Sequence, residues 1–200
     1  MSIHRTTFQI GRHADHHPEI AAVPGAMITA AGAKALAVLR IGIGFVFLWA
    51  FLDKTFGLHY STTSANSWIN GGSPTNGFLS HVAVGPFQST FHSIAGAGLT
   101  NTLFMGSLLF IGVAMIAGIA VRVAAVMGVA LVGMMWLAVY PLAQHTSAGT
   151  PTGSNNPFLD DHVLEALVLT VLALTYAGTT WGFGKAWARL PFVATHRWAL

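Results

Sequence analysis

The chain contains no cysteine, which excludes disulfides, thiolate metal sites and a CxxC redox relay within it. Charge is almost as scarce. Only 8% of the 200 residues are Asp, Glu, Lys or Arg, against roughly 25% in an average soluble domain. That is too little to cover a globular surface in water, so the expected solvent is a bilayer. Residues 57–98 carry no Asp, Glu, Lys or Arg at all. P-loop, nucleophile-elbow, zinc and haem-ligation patterns are missing, and no internal repeat stands out.

What the chain has is apolar length. It is 54% hydrophobic, with a mean hydropathy of +0.62. Four runs approach the roughly 20 residues that cross a hydrocarbon core, at about 35–56, 102–121, 123–139 and 163–178. Between the second and third there is room for little more than Gly118-Ile119-Ala120-Val121-Arg122, a tight hairpin with Gly118 as the helix stop. Ala114/Gly118 and Ala124/Gly128 repeat small residues at the spacing that lets helices approach closely in lipid. The expected fold is an all-α integral membrane protein, an antiparallel four-transmembrane-helix bundle.

The segments outside the spans differ in kind. Residues 1–33 form a polar tail; with that tail ahead of the first span, no cleavable signal-peptide pattern is expected. His13, His16 and His17 lie there, and in a mobile tail they are read as incidental. Residues 57–98 hold two helix-start signals, Ser73-Pro74 and Pro86, the second followed by Phe87, Phe91 and Ile94 at helical spacing. These predict short helices lying in the interface as an outer lid. His59, His81 and His92 sit in that loop, where local hydrogen bonding is the plainer role. Residues 179–200 interleave Trp181, Phe183, Trp187, Phe192 and Trp198 with Lys185, Arg189 and Arg197, an interfacial aromatic and basic belt.

Charge distribution predicts the orientation. With four spans, Arg5, Arg12, Lys34, Arg40, Arg122, Lys185, Arg189 and Arg197 fall on one side with Asp15 and Glu19. Lys54 alone faces the other side, with Asp53, Asp160, Asp161 and Glu165. The positive-inside rule puts both termini in the cytoplasm of a plasma-membrane protein. The sequence pI of about 9.7 is then a topology signal, and nucleic acid is not an expected partner.

One stretch concentrates chemistry. NPFLDDHVLEALVL opens the last span with Asp160, Asp161, His162 and Glu165. An aspartate at a helix start accepts orphan backbone N–H groups and complements the positive helix end, which accounts for at least one of the pair. Asp161, His162 and Glu165 share a helical face. Glu165 is a turn inside the boundary, where capping fades and an ionisable group must pair, face water or become neutral. Its natural partner is Lys54, with Asp53 beside that lysine pointing elsewhere. Snorkelling to headgroups is the plain alternative for Lys54 and the expected behaviour of Arg40 and Arg122. Trp49, Trp68, Trp136 and Tyr140 are expected around the outer mouth, as belt residues or as an aromatic cleft suited to a quinone head. No metal site is expected.

RIGIGFVFLWAFLDKTF (residues 40–56), the GIAVRVAA hairpin (118–125) and the NNPFLDDH opening of the last span together resemble the DoxX/DoxD family, in order and spacing over about residues 35–190. One departure is Phe51, where such proteins commonly carry a small residue three before the lysine. The resemblance implies a small four-helix membrane protein; some members are subunits of thiosulfate:quinone oxidoreductase, and many have no assigned activity. Quinone is thus the implied electron acceptor, with a second protein subunit as partner and self-association left open. Glu165, His162, Asp161 and Lys54 become the catalytic candidates, and Trp49, Asp53, Trp136 and Tyr140 the quinone-binding ones. A thiosulfate dianion would meet an outer mouth of formal charge about −3 (four acids, one lysine), so its site is expected on a partner or near Arg40 and Arg122. The competing expectations are a non-catalytic membrane scaffold, in which Lys54 and the acids form a structural clasp, and a small-molecule transporter.

Overall fold

A computed structural model of the chain describes residues 29–200. The tail expected over 1–33, with His13, His16 and His17, lies outside the described residues except for its last five. Thr29 accepts a hydrogen bond from the Gly32 amide (3.0 Å) and caps α1, Ala30–Phe56. Two 3₁₀ turns follow, then α2 (Asn76–Leu79) and α3 (Gln88–Ile94), each starting two residues after a proline. The long helices α4 (Gly98–Ala117) and α5 (Val121–Val139) form the expected hairpin. After α6 (Asp161–Leu174), a 3₁₀ turn at Ala177–Thr179 leads to the short helices α7 (Gly184–Trp187) and α8 (Pro191–Thr195).

Three helices, α1, α4 and α5, are long and apolar enough to cross a membrane. With 14 residues, α6 spans about 21 Å at 1.5 Å per residue, less than the roughly 30 Å hydrocarbon core. The chain is thus an all-helical, multi-pass membrane protein in its described residues. Its outer helix faces suit lipid: Val38, Phe45, Leu103, Val126, Met134 and Leu174 are all exposed.

Lipid is as apolar as leucine, so helices associate through close packing and hydrogen bonds instead of apolar burial from water. Gly44 lies against Met115 and Ile116, and Gly112 against the Leu48 backbone; a Cβ on Gly112 would stand 2.7 Å from the Leu48 nitrogen. These contacts run α1 and α4 antiparallel. Gly128 under Leu169 and Gly178 under Val121 do the same for α5 and α6. Phe47, Met105, Ile111, Met115, Leu169 and Leu172 fill the space between. The Ala124/Gly128 spacing marks a close approach, with Gly128 under Leu169; the contacts of Gly44 with Met115 and Ile116 and of Gly112 with Leu48 have no comparable regular repeat to announce them.

Arg40 departs most from expectation. It does not snorkel: it is 0% exposed. One guanidinium nitrogen, Nη1, donates to the carbonyls of Met115 and Ile116 (the latter 2.9 Å), and Nη2 to those of Thr180 (3.3 Å) and Trp181 (2.9 Å). A helix leaves its last carbonyls short of intrahelical donors; at the end of α4 Arg40 supplies the donor for Ile116 and a second one for Met115, which also accepts from the Gly118 amide (3.2 Å). Gly118 ends that helix in the left-handed region (φ 72°). A Cβ there would meet Arg40 Nη1 at 2.9 Å, so both backbone conformation and space demand glycine. The Phe183 amide donates to the Ala117 carbonyl (2.8 Å) and completes the joint. Arg122 is also engaged: it stacks on Tyr176 at 4.6 Å and donates to the Arg197 carbonyl (2.9 Å).

Arg40→Met should therefore leave buried carbonyls without donors, at about 1–3 kcal/mol each. The expected result is a fall of several degrees or more in the thermal midpoint of detergent-purified protein, with much less change for Arg122→Gln. Equal midpoints for Arg40→Met and wild type would rule out this joint as a stability determinant.

Candidate functional site

The antiparallel registers place the acidic residues together at the end of the bundle opposite Arg40. There α1 ends, α4 begins, α5 ends and α6 begins. Gly57, left-handed at φ 65°, stops α1 and lets its own amide reach the Asp53 carbonyl. The chain turns back, and Asp53, 1% exposed, accepts from the amides of Tyr60 (3.2 Å) and Ser61 (2.9 Å) and from the Ser61 hydroxyl (2.6 Å). Both carboxylate oxygens are occupied. Asp53, expected to touch a ligand, instead anchors the turn, because backbone donors two turns of chain away reach it first. Lys54 is half-buried and reaches only the Ser61 hydroxyl, at 3.5 Å.

At the opening of α6, Asp160 is the cap: Oδ1 accepts from the Val163 amide (3.1 Å), while Oδ2 lies 2.8 Å from His162 Nδ1. Asp161 is exposed in the first turn. The bland reading of the aspartates thus holds for Asp160. It also takes His162, whose partner is the preceding cap and not Glu165. Glu165 is half-buried one turn in, and among the described residues neither it nor Lys54 makes an ion pair. The clasp expected between them is not formed. Lys54 is drawn toward the Asp53–Ser61 turn on its own helix end, away from α6.

The aromatic candidates also separate. Trp49 stacks with Phe45 (5.8 Å between centroids) and meets Tyr60 edge-on (5.1 Å); both partners are exposed, so this is an outward-facing stack. Trp68 instead turns inward against the main core. Tyr140 caps α5 in the left-handed region (φ 46°), with the backbone of Gly85 against its ring. Trp136, one turn earlier, is half-buried, and its indole Nε1 is enclosed with no hydrogen-bond acceptor. The loop over 57–98 docks on this end: Leu79, Val82 and Phe91 pack on Ala138 of α5. Of the three apolar residues expected on one face of α3, Phe91 is buried while Phe87 and Ile94 remain exposed.

Two features escaped the sequence reading. Asn101 in the first turn of α4 is a buried polar node. Its Oδ1 accepts from the Thr75 amide (3.1 Å) and hydroxyl (2.7 Å), and its Nδ2 donates to Ser73 Oγ (3.1 Å) and the Gly96 carbonyl (3.3 Å). An asparagine at the start of an apolar run was the only signal. The other is an open cleft of about 460 Å³ lined by Asn155, Asn156, Leu159, Asp160 and Asp161. It opens beside Asp160 and Asp161, and its lining is mostly polar with no aromatic side chain, unlike the aromatic cleft expected.

Removing the Asp160 side chain should cost about 0.5–2 kcal/mol, as for other helix caps, whereas Asp161→Ala should stay within about 0.5 kcal/mol. Asp53→Ala should exceed both, since it strands buried donors. Thermal melts in detergent order the three; Asp161→Ala as the most harmful would overturn the assignment. No family model matches this chain, and no curated protein or solved structure matches it either.

Proposed function

We propose that this protein is the membrane subunit of a quinone-linked oxidoreductase, with its site at the acidic end of the bundle. One observation carries the reading. The indole N–H of Trp136 is enclosed without an acceptor, in the part of the bundle where Lys54 and Glu165 are half-buried without ion-pair partners. Buried polar groups are nearly always satisfied, and an unsatisfied one calls for a reason. A quinone carbonyl supplies the acceptor that the indole lacks. When bound, the quinone provides the two-electron acceptor chemistry that this cysteine-free chain does not contain.

The chain's own residues would then divide the work. Trp136 donates to the carbonyl and orients the ring, and Lys54 supplies positive charge near the developing oxyanion. Glu165 holds and moves a proton, with His162 and Asp160 linking it to the open cleft. Asp53 has no part in this, since its oxygens are committed, and Trp49 faces outward. A thiosulfate site near Arg40 is also dropped, because that guanidinium is enclosed by carbonyls. The thiosulfate type therefore rests on the DoxX/DoxD resemblance and on a partner subunit that handles the donor.

In this reading α6 and the 3₁₀ turn after it complete a fourth, short span, met by tilt or local thinning of the bilayer. Residues 57–98 act as the lid, held by Asn101 and Ala138. The end bearing Arg40, Arg122 and the C-terminal cations faces the cytoplasm of a plasma membrane, by the positive-inside rule. A non-catalytic scaffold remains the second reading, favoured by the wide, polar shape of the cleft at this end.

Reduction of a soluble quinone analogue by the purified chain, with thiosulfate and then sulfide as donor, tests the proposal. Glu165→Gln should lower kcat about 10²-fold or more if it relays protons. Trp136→Phe should raise KM several-fold, the worth of one hydrogen bond. No turnover by folded wild type, either alone or together with the proteins that co-purify with it, would sink the oxidoreductase reading, and unchanged rates in both variants would sink this site.

A further inference from the structure

Independently of any quinone, the last part of the chain has a form that water alone does not explain. From Ala177 to Leu200 the chain folds back across the basic end of the bundle as a small platform. Its inner face is buried: Ala177, Gly178, Gly184, Val193 and Ala199 all pack inward. It is clasped from above at several points. Arg40 holds the carbonyls of Thr180 and Trp181. The Arg122 amide donates to the Leu200 carbonyl (2.8 Å), and the Trp187 indole donates to the Ala199 carbonyl (2.7 Å).

The outer face combines two things rarely left together in solvent. Trp181, Phe183, Phe192 and Trp198 are 59, 69, 55 and 60% exposed, although the segment around them is well clasped. Phe192, His196 and Trp198 are gathered into one ring cluster, with centroids 4.6–6.2 Å apart. Interleaved with these rings are the exposed cations Lys185, Arg189 and Arg197. No Asp or Glu follows Glu165 in the chain, and every Asp and Glu side chain among the described residues lies at the other end of the bundle, so no described acidic side chain neutralises the platform. Aromatic rings favour the headgroup level of a bilayer, and unneutralised Lys and Arg beside them favour lipid phosphates of net negative charge.

We propose that this platform binds the headgroups of anionic phospholipids, with the rings seated at the interface and Lys185, Arg189 and Arg197 meeting the charge. The occupant is lipid because the platform is bonded to the three membrane-crossing helices, at Arg40 of α1, Ala117 of α4 and Arg122 of α5, and because its apolar exposure has no use for a free anion. Neutral lipid satisfies the rings but not the cations, so the binding is selective.

Native mass spectrometry of the full detergent-purified chain, titrated with phosphatidylglycerol or phosphatidylcholine, reads this directly. Wild type should retain phosphatidylglycerol at least fivefold over phosphatidylcholine, the worth of roughly one cation at a membrane surface. The combined variant Lys185→Gln, Arg189→Gln, Arg197→Gln should lose the preference, while Lys54→Gln at the other end keeps it. Inorganic phosphate at millimolar concentration should not displace the lipid. Should the combined variant not accumulate, Arg189→Gln alone should show a partial loss. Equal retention of both lipids by wild type would overturn the proposal and leave the platform as a surface for an acidic protein. A preference untouched by the cation changes, or removed by free phosphate, would overturn it as well.

Discussion

A single buried cation organises one end of this protein. Arg40 lies inside a chain with very little charge, fully enclosed, and is matched to carbonyl oxygens with no carboxylate. Such a group is costly in a low-dielectric setting unless its donors are satisfied. Satisfying them requires that α1, the end of α4 and residues 180–181 come together in one arrangement. The glycines follow from that. Gly118, Gly178, Gly182 and Gly184 crowd the guanidinium and each other's carbonyls closely enough that added Cβ atoms would collide. Ala120, Tyr176 and Trp181 take up left-handed backbone nearby, a conformation that costs an L-residue about 1–2 kcal/mol. The arginine network is what offsets that strain.

The opposite end is built by the same physics with the sign reversed. Asp53 gathers backbone donors where Arg40 gathers acceptors, and Asn101 ties the long loop to α4 with neutral hydrogen bonds. Among the described residues the Asp and Glu side chains are thereby held at one end and most cations at the other, an electrical polarity along the helices. What remains unmatched among the described residues at the acidic end is a short set: the Trp136 indole, the Thr55 hydroxyl, Lys54 and Glu165. What remains unmatched at the basic end is Arg40 Nε and a surface, rings and cations with no Asp or Glu among the described residues. The two ends thus suit different occupants.

Much of the architecture was legible from local rules. The apolar runs mark α1, α4 and α5, Gly118 marks the hairpin, and Pro74 and Pro86 mark the short helices. Asp160 marks the α6 cap. The site was legible only in outline. That acids meet at one end follows from charge counting, but partner choice does not. Asp53 and Lys54 are adjacent, yet one is buried in a turn and the other left half-open, because the helix rotates about 100° per residue. Trp49, Trp68 and Trp136 look equivalent as span-end aromatics; in the fold one faces out, one enters the core and one is enclosed without an acceptor. Arg40 was expected to reach water, since its closeness to the helix end hides that α4 ends beside it.

The sequence by itself determined the solvent, the presence of the long apolar helices and the segregation of charge among the described residues, since each depends on composition or on residues a few positions apart. Only the tertiary structure decided which polar groups are satisfied. Hydrogen bonding is a contest among donors and acceptors brought close by packing. Asp53 is won by Ser61 and His162 by Asp160, neighbours a few residues away in the chain, whereas the end of α4 and the platform after α6 are brought to Arg40 by the antiparallel registers of helices far apart in the chain.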